Sequence, residues 1–227
     1  MKSALLLAIS AMLLVQFAHT LPTTRVAVVH NDNQILESNP KDVSSEEESP
    51  QAQLMIYTIA QIAKLSKWML DTGSVVIRNT IKELKELPVR DELLQANITR
   101  MSNIVKENAE LNLKEDEGAV LKLLVYMVDF ATMMEDYENM PEDSKLKETL
   151  KTALQNNGYT KFENDFEQKV IEMANDFDTA FGEYVKVLTP AQRVEQAKLL
   201  VWYDEFKAET DGERKVDKFG EIFDIMS

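Results

Sequence analysis

Histidine and cysteine, the side chains that most often act as nucleophiles, bases and transition-metal ligands, are almost absent from this chain. It has no cysteine, and its two histidines, His19 and His30, both lie near the N-terminus, outside every segment with helical periodicity. The helical region therefore cannot form a Ser-His-Asp triad, a Cys-His pair or a histidine-ligated metal site. Without disulfides, the fold must also depend on packing alone.

The 39 Asp and Glu residues leave carboxylate chemistry as the remaining option. Asp176, Asp178 and Glu183 have a spacing that resembles part of a calcium-binding loop, but Ala180 and Phe181 stand where such a loop needs a ligand and a glycine. None of the six glycines belongs to a phosphate-binding loop. We therefore predict no catalytic residue, no metal ligand and no cofactor, and a protein that acts by binding rather than as an enzyme.

The overall charge limits the kinds of partner that the chain can have. There are 25 Lys and Arg residues against the 39 acids, and the formal net charge is −14 at pH 7. Such a surface repels the phosphates of nucleic acids and the headgroups of anionic lipids. We therefore exclude nucleic acid as a partner.

Residues 1–20 have the pattern of a secretory signal peptide. Lys2 supplies the positive charge, residues 4–15 form an apolar run, and Ala18 and Thr20 are small residues before a cleavage site at Leu21. The alternative is a membrane anchor, but the apolar run is too short to span a bilayer. The pattern predicts a secreted, extracellular protein with no transmembrane segment.

Residues 21–50 are polar, acidic and rich in proline, and they include the run SSEEES. Because this composition cannot bury enough apolar surface to offset the entropy lost on ordering, we predict a disordered acidic tail. Ser44 and Ser45 each have an acid two residues further on, a pattern that acidophilic kinases of the secretory pathway use. They are candidate phosphorylation sites, and the alternative is a solvated spacer.

From residue 51 to residue 227 the apolar residues recur at helical spacing, and no strand pattern competes. We predict an all-α fold, a single helical bundle of about six to eight helices. Turn and cap signals divide the region: a break or kink at Gly73, Pro88, Pro141, the stop at Gly158, and a capping box that begins at Thr189. The predicted helices cover 51–70, 75–87, 91–111, 119–134, 142–155, 159–188, 190–209 and 213–225.

Residues 119–134 are apolar except for one line of polar side chains, Lys122, Tyr126 and Asp129. This pattern predicts a central helix with neighbours on most sides. Asp129 is either a polar anchor within a pocket or part of a stripe that reaches solvent or pairs with another helix. We predict that it is paired with Lys or Arg, because an unpaired buried charge is costly.

The helix predicted over 159–188 carries a stripe of phenylalanines, which we expect to pack on 119–134. Together with methionines, such residues either form a solid core or line a pliable cavity for a hydrophobic ligand. The candidates for a pocket lining are Met127, Phe130, Phe166, Phe177 and Phe181.

Two hypotheses for function remain open. In the first, the protein binds an unknown extracellular protein partner; in the second, it carries a hydrophobic small molecule such as a fatty acid or sterol. Asn97 lies in the one Asn-x-Ser/Thr sequence of the chain and is a candidate N-glycosylation site. As a secreted, acidic, cysteine-free bundle, the chain is similar in general design to the insect exchangeable apolipoproteins. Its Phe- and Met-rich interior departs from the Ala- and Gln-rich helices of that group, so this likeness implies no function.

Overall fold

The computed structural model describes residues 49–88, 91–112 and 118–226, which form eight α-helices and no strand. The predicted all-α fold is therefore confirmed. The predicted signal peptide and residues 21–48 of the predicted tail lie outside the described residues. Within the described ranges, none of the helices is both long and apolar enough to cross a bilayer. The helices are α1 Pro50–Glu86, α2 Glu92–Glu110, α3 Ala119–Glu138, α4 Lys145–Asn156, α5 Tyr159–Val187, α6 Pro190–Glu195, α7 Ala197–Ala208 and α8 Gly212–Met226.

Capping residues fix where most of these helices begin. The side chains of Ser49, Asp91 and Ser144 accept hydrogen bonds from backbone amides in the first turns of α1, α2 and α4. Gly158 adopts φ 91°, a left-handed conformation that favours glycine, between α4 and α5. The capping box at Thr189 forms as predicted at the start of α6.

Helix α1 is continuous over 37 residues, so of the break or kink predicted at Gly73, the break is wrong. Gly73 lies inside the helix, where a Cβ atom would be 2.8 Å from ring atoms of Phe130 and 3.4 Å from the ring of Phe162. The glycine is explained by the close approach of the Phe130 ring to the backbone. It interrupts the helical pattern of the sequence without interrupting the helix.

The helix predicted over 190–209 is divided at Gln196, where the backbone has φ −100° and ψ 20°. The side-chain oxygen of Gln196 accepts a hydrogen bond from the Tyr184 hydroxyl, and its Nε2 donates to Oε1 of Gln51 at 3.3 Å. Helix α6 buries no residue, whereas α7 buries four. The helix is therefore divided at the residue whose side chain hydrogen-bonds to α5 and to α1.

Helix α1, rather than α3, lies at the centre of the N-terminal part of the bundle, since it packs against α2, α3, α4 and α5. Helix α3 packs against α1, α2 and α4 and leaves one face open. On that face Leu121 is 42% exposed and Val125 is 40% exposed. Residues 119–134 therefore pack against three helices, and this face stays exposed.

Helix α5 carries two separate groups of aromatic rings. The N-terminal aromatic cluster joins Tyr159, Phe162 and Phe166 to Trp68 of α1 and Phe130 of α3. In the C-terminal aromatic cluster, rings of α5 contact rings of α7 and α8; its members are Phe177, Phe181, Tyr184, Trp202, Tyr203, Phe206 and Phe219. The stripe of α5 is buried as predicted. Among the described residues, only the N-terminal part of this stripe makes an aromatic contact with α3. There the ring centroids of Phe162 and Phe130 are 5.7 Å apart.

A polar network fastens the two C-terminal helices to α5. The hydroxyl of Tyr203 donates to Oδ1 of Asp178 at 2.9 Å and to its backbone oxygen at 3.0 Å. Lys215 of α8 pairs with Oδ2 of the same carboxylate at 3.2 Å, and its ammonium lies 4.9 Å from the ring centroid of Phe206. One carboxylate of α5 therefore holds both α7 and α8.

We expect Gly73→Ala to destabilise the protein by about 1 kcal/mol. Alanine improves helix propensity by about 1 kcal/mol, but overpacking of a tight core costs about 1–3 kcal/mol. The measurement is the free energy of unfolding from denaturant titration followed by circular dichroism. Asn79→Ala, an exposed position in the same helix, is the control for propensity and should not destabilise. Phe130→Leu should cost less in the Gly73→Ala background than alone; additive effects would contradict the proposed close contact.

Candidate functional site

A cleft of about 340 Å³ lies where the last turns of α3, helix α4 and the first turns of α5 meet. Its apolar and aromatic lining comes from Met134, Tyr137, Leu154 and Tyr159. Its charged lining consists of three carboxylates and two ammonium groups: Glu138, Glu142, Glu163, Lys147 and Lys151. The cleft therefore combines apolar walls with a charged rim, as ligand sites commonly do.

Local sequence brings these three elements together. Met134 and Tyr137 are three residues apart and share one face of α3. The left-handed conformation of Gly158 ends α4 and lets α5 begin at Tyr159. Asn156 and Asn157 donate to the carboxylate of Glu83 at 2.8 and 2.6 Å, which fixes this turn against α1.

Lys147 closes the connection between α3 and α4. Its ammonium donates to the backbone oxygens of Glu138 and Met140 at 2.8 and 2.9 Å and also to the carboxylate of Glu142. The side chain of Lys147 is only 11% exposed. The hydrogen bond from Lys147 lowers the pKa of Glu142, which therefore stays ionised. The positive charge of Lys147 is thus already balanced within the cleft wall.

Tyr137 is a residue of the cleft whose hydroxyl finds no hydrogen-bond partner among the described residues. It is 5% exposed, and its hydroxyl is buried without a hydrogen-bond partner in the described part of the chain. Burial raises the pKa of Tyr137, so the phenol stays protonated at neutral pH. A buried hydroxyl without a partner costs about 1–3 kcal/mol. Because the hydroxyl is buried, a molecule in the cleft would reach it only if side chains of the lining moved.

A second, smaller groove of about 150 Å³ lies between α1 and α5. Lys169 lies over the ring of Trp68 there, at 5.1 Å from the ring centroid. Gln61, Lys64 and Asp176 also contribute to its polar lining. The groove is less than half the size of the cleft, so the cleft is the stronger candidate for a ligand site.

The five predicted pocket residues, Met127, Phe130, Phe166, Phe177 and Phe181, are all buried. The first three lie among α1, α3 and the N-terminal half of α5, and the last two lie in the C-terminal aromatic cluster. None of the five lines either the cleft or the groove. Their role as the lining of a ligand pocket stays a prediction.

Asp129 and Lys122 are both exposed on α3. Of the alternatives open for Asp129, the polar stripe that reaches solvent is the one that the structure contains. Because water solvates its carboxylate, the desolvation cost that motivated a paired Lys or Arg does not arise.

Asn97, the predicted glycosylation site, lies in the middle of α2 and is half-buried. Its Nδ2, the atom that would carry a glycan, donates to the backbone oxygen of Leu93 at 2.8 Å. Glycosylation would replace one of the two hydrogens on this nitrogen and leave the other to donate; it stays a prediction. The predicted phosphorylation sites Ser44 and Ser45 lie outside the described residues.

Sequence periodicity did not locate the cleft, because its residues come from the ends of three helices. The signals that point to it are two tyrosines, Tyr137 and Tyr159, near the helix-ending residues Pro141 and Gly158. Among the described residues, no group of three or more His, Cys, Asp or Glu side chains is placed to hold a metal ion.

Comparison of the chain with known protein families, with curated proteins and with solved structures finds no match.

We expect Tyr137→Phe to raise the stability of the ligand-free protein by about 1 kcal/mol, because it removes a buried hydroxyl that has no partner among the described residues. Tyr203→Phe is the matched control, since it removes a hydroxyl that donates to Asp178; it should lower stability by about 1–2 kcal/mol. The free energies of unfolding of the two variants should therefore change with opposite signs. A loss of stability in Tyr137→Phe similar to that in Tyr203→Phe would show that the Tyr137 hydroxyl is satisfied.

Proposed function

We propose that this chain is an extracellular, non-enzymatic binding protein that holds a small amphipathic molecule in the cleft between α3, α4 and α5. The observation that carries the proposal is the hydroxyl of Tyr137, which is buried in the wall of that cleft without a partner among the described residues. A ligand whose polar group displaced the lining over this hydroxyl and hydrogen-bonded to it would recover the free energy that its burial costs. The secretory pattern of residues 1–20 supports the extracellular location.

The size and lining of the cleft favour a small ligand. Sites for small molecules usually occupy about 300–1,000 Å³, and the cleft, at about 340 Å³, lies at the low end of this range. Met134 and Leu154 offer apolar contacts from two different helices, and Tyr137 offers a hydrogen bond. These features suit a compact amphiphile with one aromatic or short aliphatic body and one polar head.

The test is binding of 3-phenylpropanol, a neutral amphiphile of this kind, to protein with ¹³C-labelled methionine methyl groups. We expect the methyl signal of Met134, which lines the cleft, to shift on titration, while that of Met127, which is buried elsewhere, stays unchanged. Tyr137→Phe should weaken binding about fivefold through loss of one hydrogen bond. Tyr126→Phe, on the same helix but outside the cleft, should leave the affinity unchanged. If small amphiphiles with neutral, cationic and anionic heads all failed to shift Met134, this function would be rejected.

The second candidate function is binding of an extracellular protein partner, and the exposed apolar side chains of α3 favour it. Leu121 and Val125 are four residues apart on one exposed face. If this face contacts a partner, Val125→Asp should abolish co-elution of a protein that accompanies the secreted wild type on size-exclusion chromatography. Val201→Asp is the control, since Val201 is 60% exposed on α7. Loss of the partner in both variants, or in neither, would count against the face on α3.

A further inference from the structure

We infer that the open face of α3 is the contact between two copies of this chain, which pack against each other antiparallel about a two-fold axis. The inference rests on the second candidate function, because it names the partner that the same face would take. It is carried by the spacing of the apolar side chains on that face and by the charges that lie beside them.

The open face of α3 carries an apolar seam, formed by Leu121, Val125, Val128 and the methyl group of Thr132. These residues follow one another at steps of four, three and four positions, so they lie on one side of the helix. Leu121 and Val125 are exposed, and Val128 and Thr132 are half-buried. Steps of three and four are the spacing of residues at the contact between two paired helices. The seam therefore has the pattern of a helix contact on a face that α1, α2 and α4 leave open.

Two copies of the seam fit each other in an antiparallel register. When the two-fold axis passes midway between Val125 and Val128, Val125 of each copy faces Val128 of the other. In the same register Leu121 faces Thr132. Contacts about a two-fold axis are made twice, because the same patch is used by both copies. Each side chain of the seam thus meets another side chain of the seam.

Opposite charges lie along one edge of the seam. Lys122 and Asp129 each come directly after a residue of the seam, they are seven positions apart, and both are exposed. In the antiparallel register, Asp129 of one copy lies about 3 Å along the axis from the position directly opposite Lys122 of the other, an offset that a lysine side chain spans. An ammonium has three hydrogens, so Lys122 can add this carboxylate to the contacts within its own copy.

The charges favour antiparallel over parallel packing of the two α3 helices. In a parallel pair in register, each charge would stand at the level of its own counterpart, Lys122 with Lys122 and Asp129 with Asp129. In the antiparallel pair the two-fold axis makes two ion pairs of opposite sign. Like charges brought together count against an arrangement, and opposite charges fix the register. The edge of the seam is therefore complementary to itself in one direction only.

The size of the seam and the net charge make this a weak dimer. The seam spans about 16 Å of helix, so the contact is smaller than the ~1,600 Å² of a typical stable complex. The formal net charge of −14 on each copy also opposes association. Salt screens this repulsion between whole chains more than it screens ion pairs closer than the Debye length of about 8 Å. Salt should therefore strengthen the dimer.

The first experiment is sedimentation velocity of the secreted chain from about 10 μM to 1 mM, where small interfaces dissociate. We expect the mean sedimentation coefficient of the wild type to rise with concentration. Val125→Asp should keep the chain monomeric, because it places carboxylates against valines in the contact. Val201→Asp is the matched control, since Val201 is exposed on α7, and it should associate like the wild type. Circular dichroism should show unchanged helix content in both variants.

The second experiment exchanges the two charges beside the seam. Asp129→Lys should weaken the dimer about two- to tenfold, because both symmetry-related ion pairs become repulsive. This substitution makes the chain less acidic, so an effect of net charge alone would strengthen the dimer. Lys122→Asp should weaken it as well, and the two substitutions together should restore it. Asp204→Lys, at an exposed position on α7, changes the net charge equally and should not weaken the dimer.

The third experiment tests the antiparallel direction with introduced cysteines, which the chain lacks. A mixture of Leu121→Cys and Thr132→Cys proteins should form a mixed disulfide under mild oxidation faster than either protein crosslinks with itself. In the antiparallel pair, two copies of the same cysteine are about 16 Å apart along the axis, beyond the ~7 Å between Cα atoms that a disulfide allows. Parallel packing would instead crosslink each variant with itself.

The outcomes separate this inference from the function on which it rests. Association that Val125→Asp removes, together with the mixed disulfide and the restored dimer of the charge exchange, would support two copies on this face. Association that survives Val125→Asp, or crosslinking of each cysteine variant with itself, would overturn the inference. A wild type that stays monomeric, but loses a different co-eluting protein in Val125→Asp, would overturn the inference and leave the second candidate function. Loss of neither would overturn both.

Discussion

The packing of this protein depends on the absence of a side chain at Gly73. The ring of Phe130 approaches the backbone of α1 at this point so closely that a single methyl group would have to displace it, and the ring of Phe162 would be in van der Waals contact with that group. Because interiors are close-packed, a fully buried ring cannot move aside without disturbing its own neighbours. The close contact places α3 and α5 directly on α1, and it defines how the apolar surfaces of these three helices meet. The turn that follows α4 is then fixed against the same helix by Glu83.

Helix α5 connects this arrangement to the C-terminal part of the chain. Rings in its N-terminal half contact Trp68 and Phe130, and rings in its C-terminal half contact rings of α7 and α8. The carboxylate of Asp178 reinforces the second group through Tyr203 and Lys215. Since rings in contact are worth about 0.5–1.5 kcal/mol per pair beyond their burial, both halves of α5 are held firmly. The cleft does not lie in the middle of either group of rings. It lies at the end of the bundle, where helices begin and end.

The position of the cleft explains its chemistry. Helix ends expose backbone carbonyl groups that must be satisfied, and Lys147 does this for the last turn of α3. A lysine used in this way is removed from the set of cations that a ligand could meet. The same crossing of helix ends leaves Tyr137 deeply buried, and no described residue pairs with its hydroxyl. The charged rim of the cleft and the buried Tyr137 hydroxyl in its wall thus both arise from the crossing of helix ends.

The sequence by itself determined the helices and the faces they bury. Periodicity identified the stripe on α5, and the capping box predicted at Thr189 forms where α6 begins. These properties depend on residues within a few positions of one another, so they can be deduced from spacing alone. The near absence of histidine and cysteine likewise limits the possible chemistry through composition alone, whatever the packing of the helices.

Only the tertiary structure decided what each buried face packs against. Gly73 looked like a break because its role depends on Phe130 and Phe162, which are far away in sequence. The open face of α3 and the division at Gln196 also follow from neighbours that periodicity does not name. The cleft needed the ends of three helices to be placed together, and whether the hydroxyl of Tyr137 has a partner depends on every atom around it. Helical spacing specifies that a side chain points inward, but the contacts it makes there are set by the packing of the whole chain.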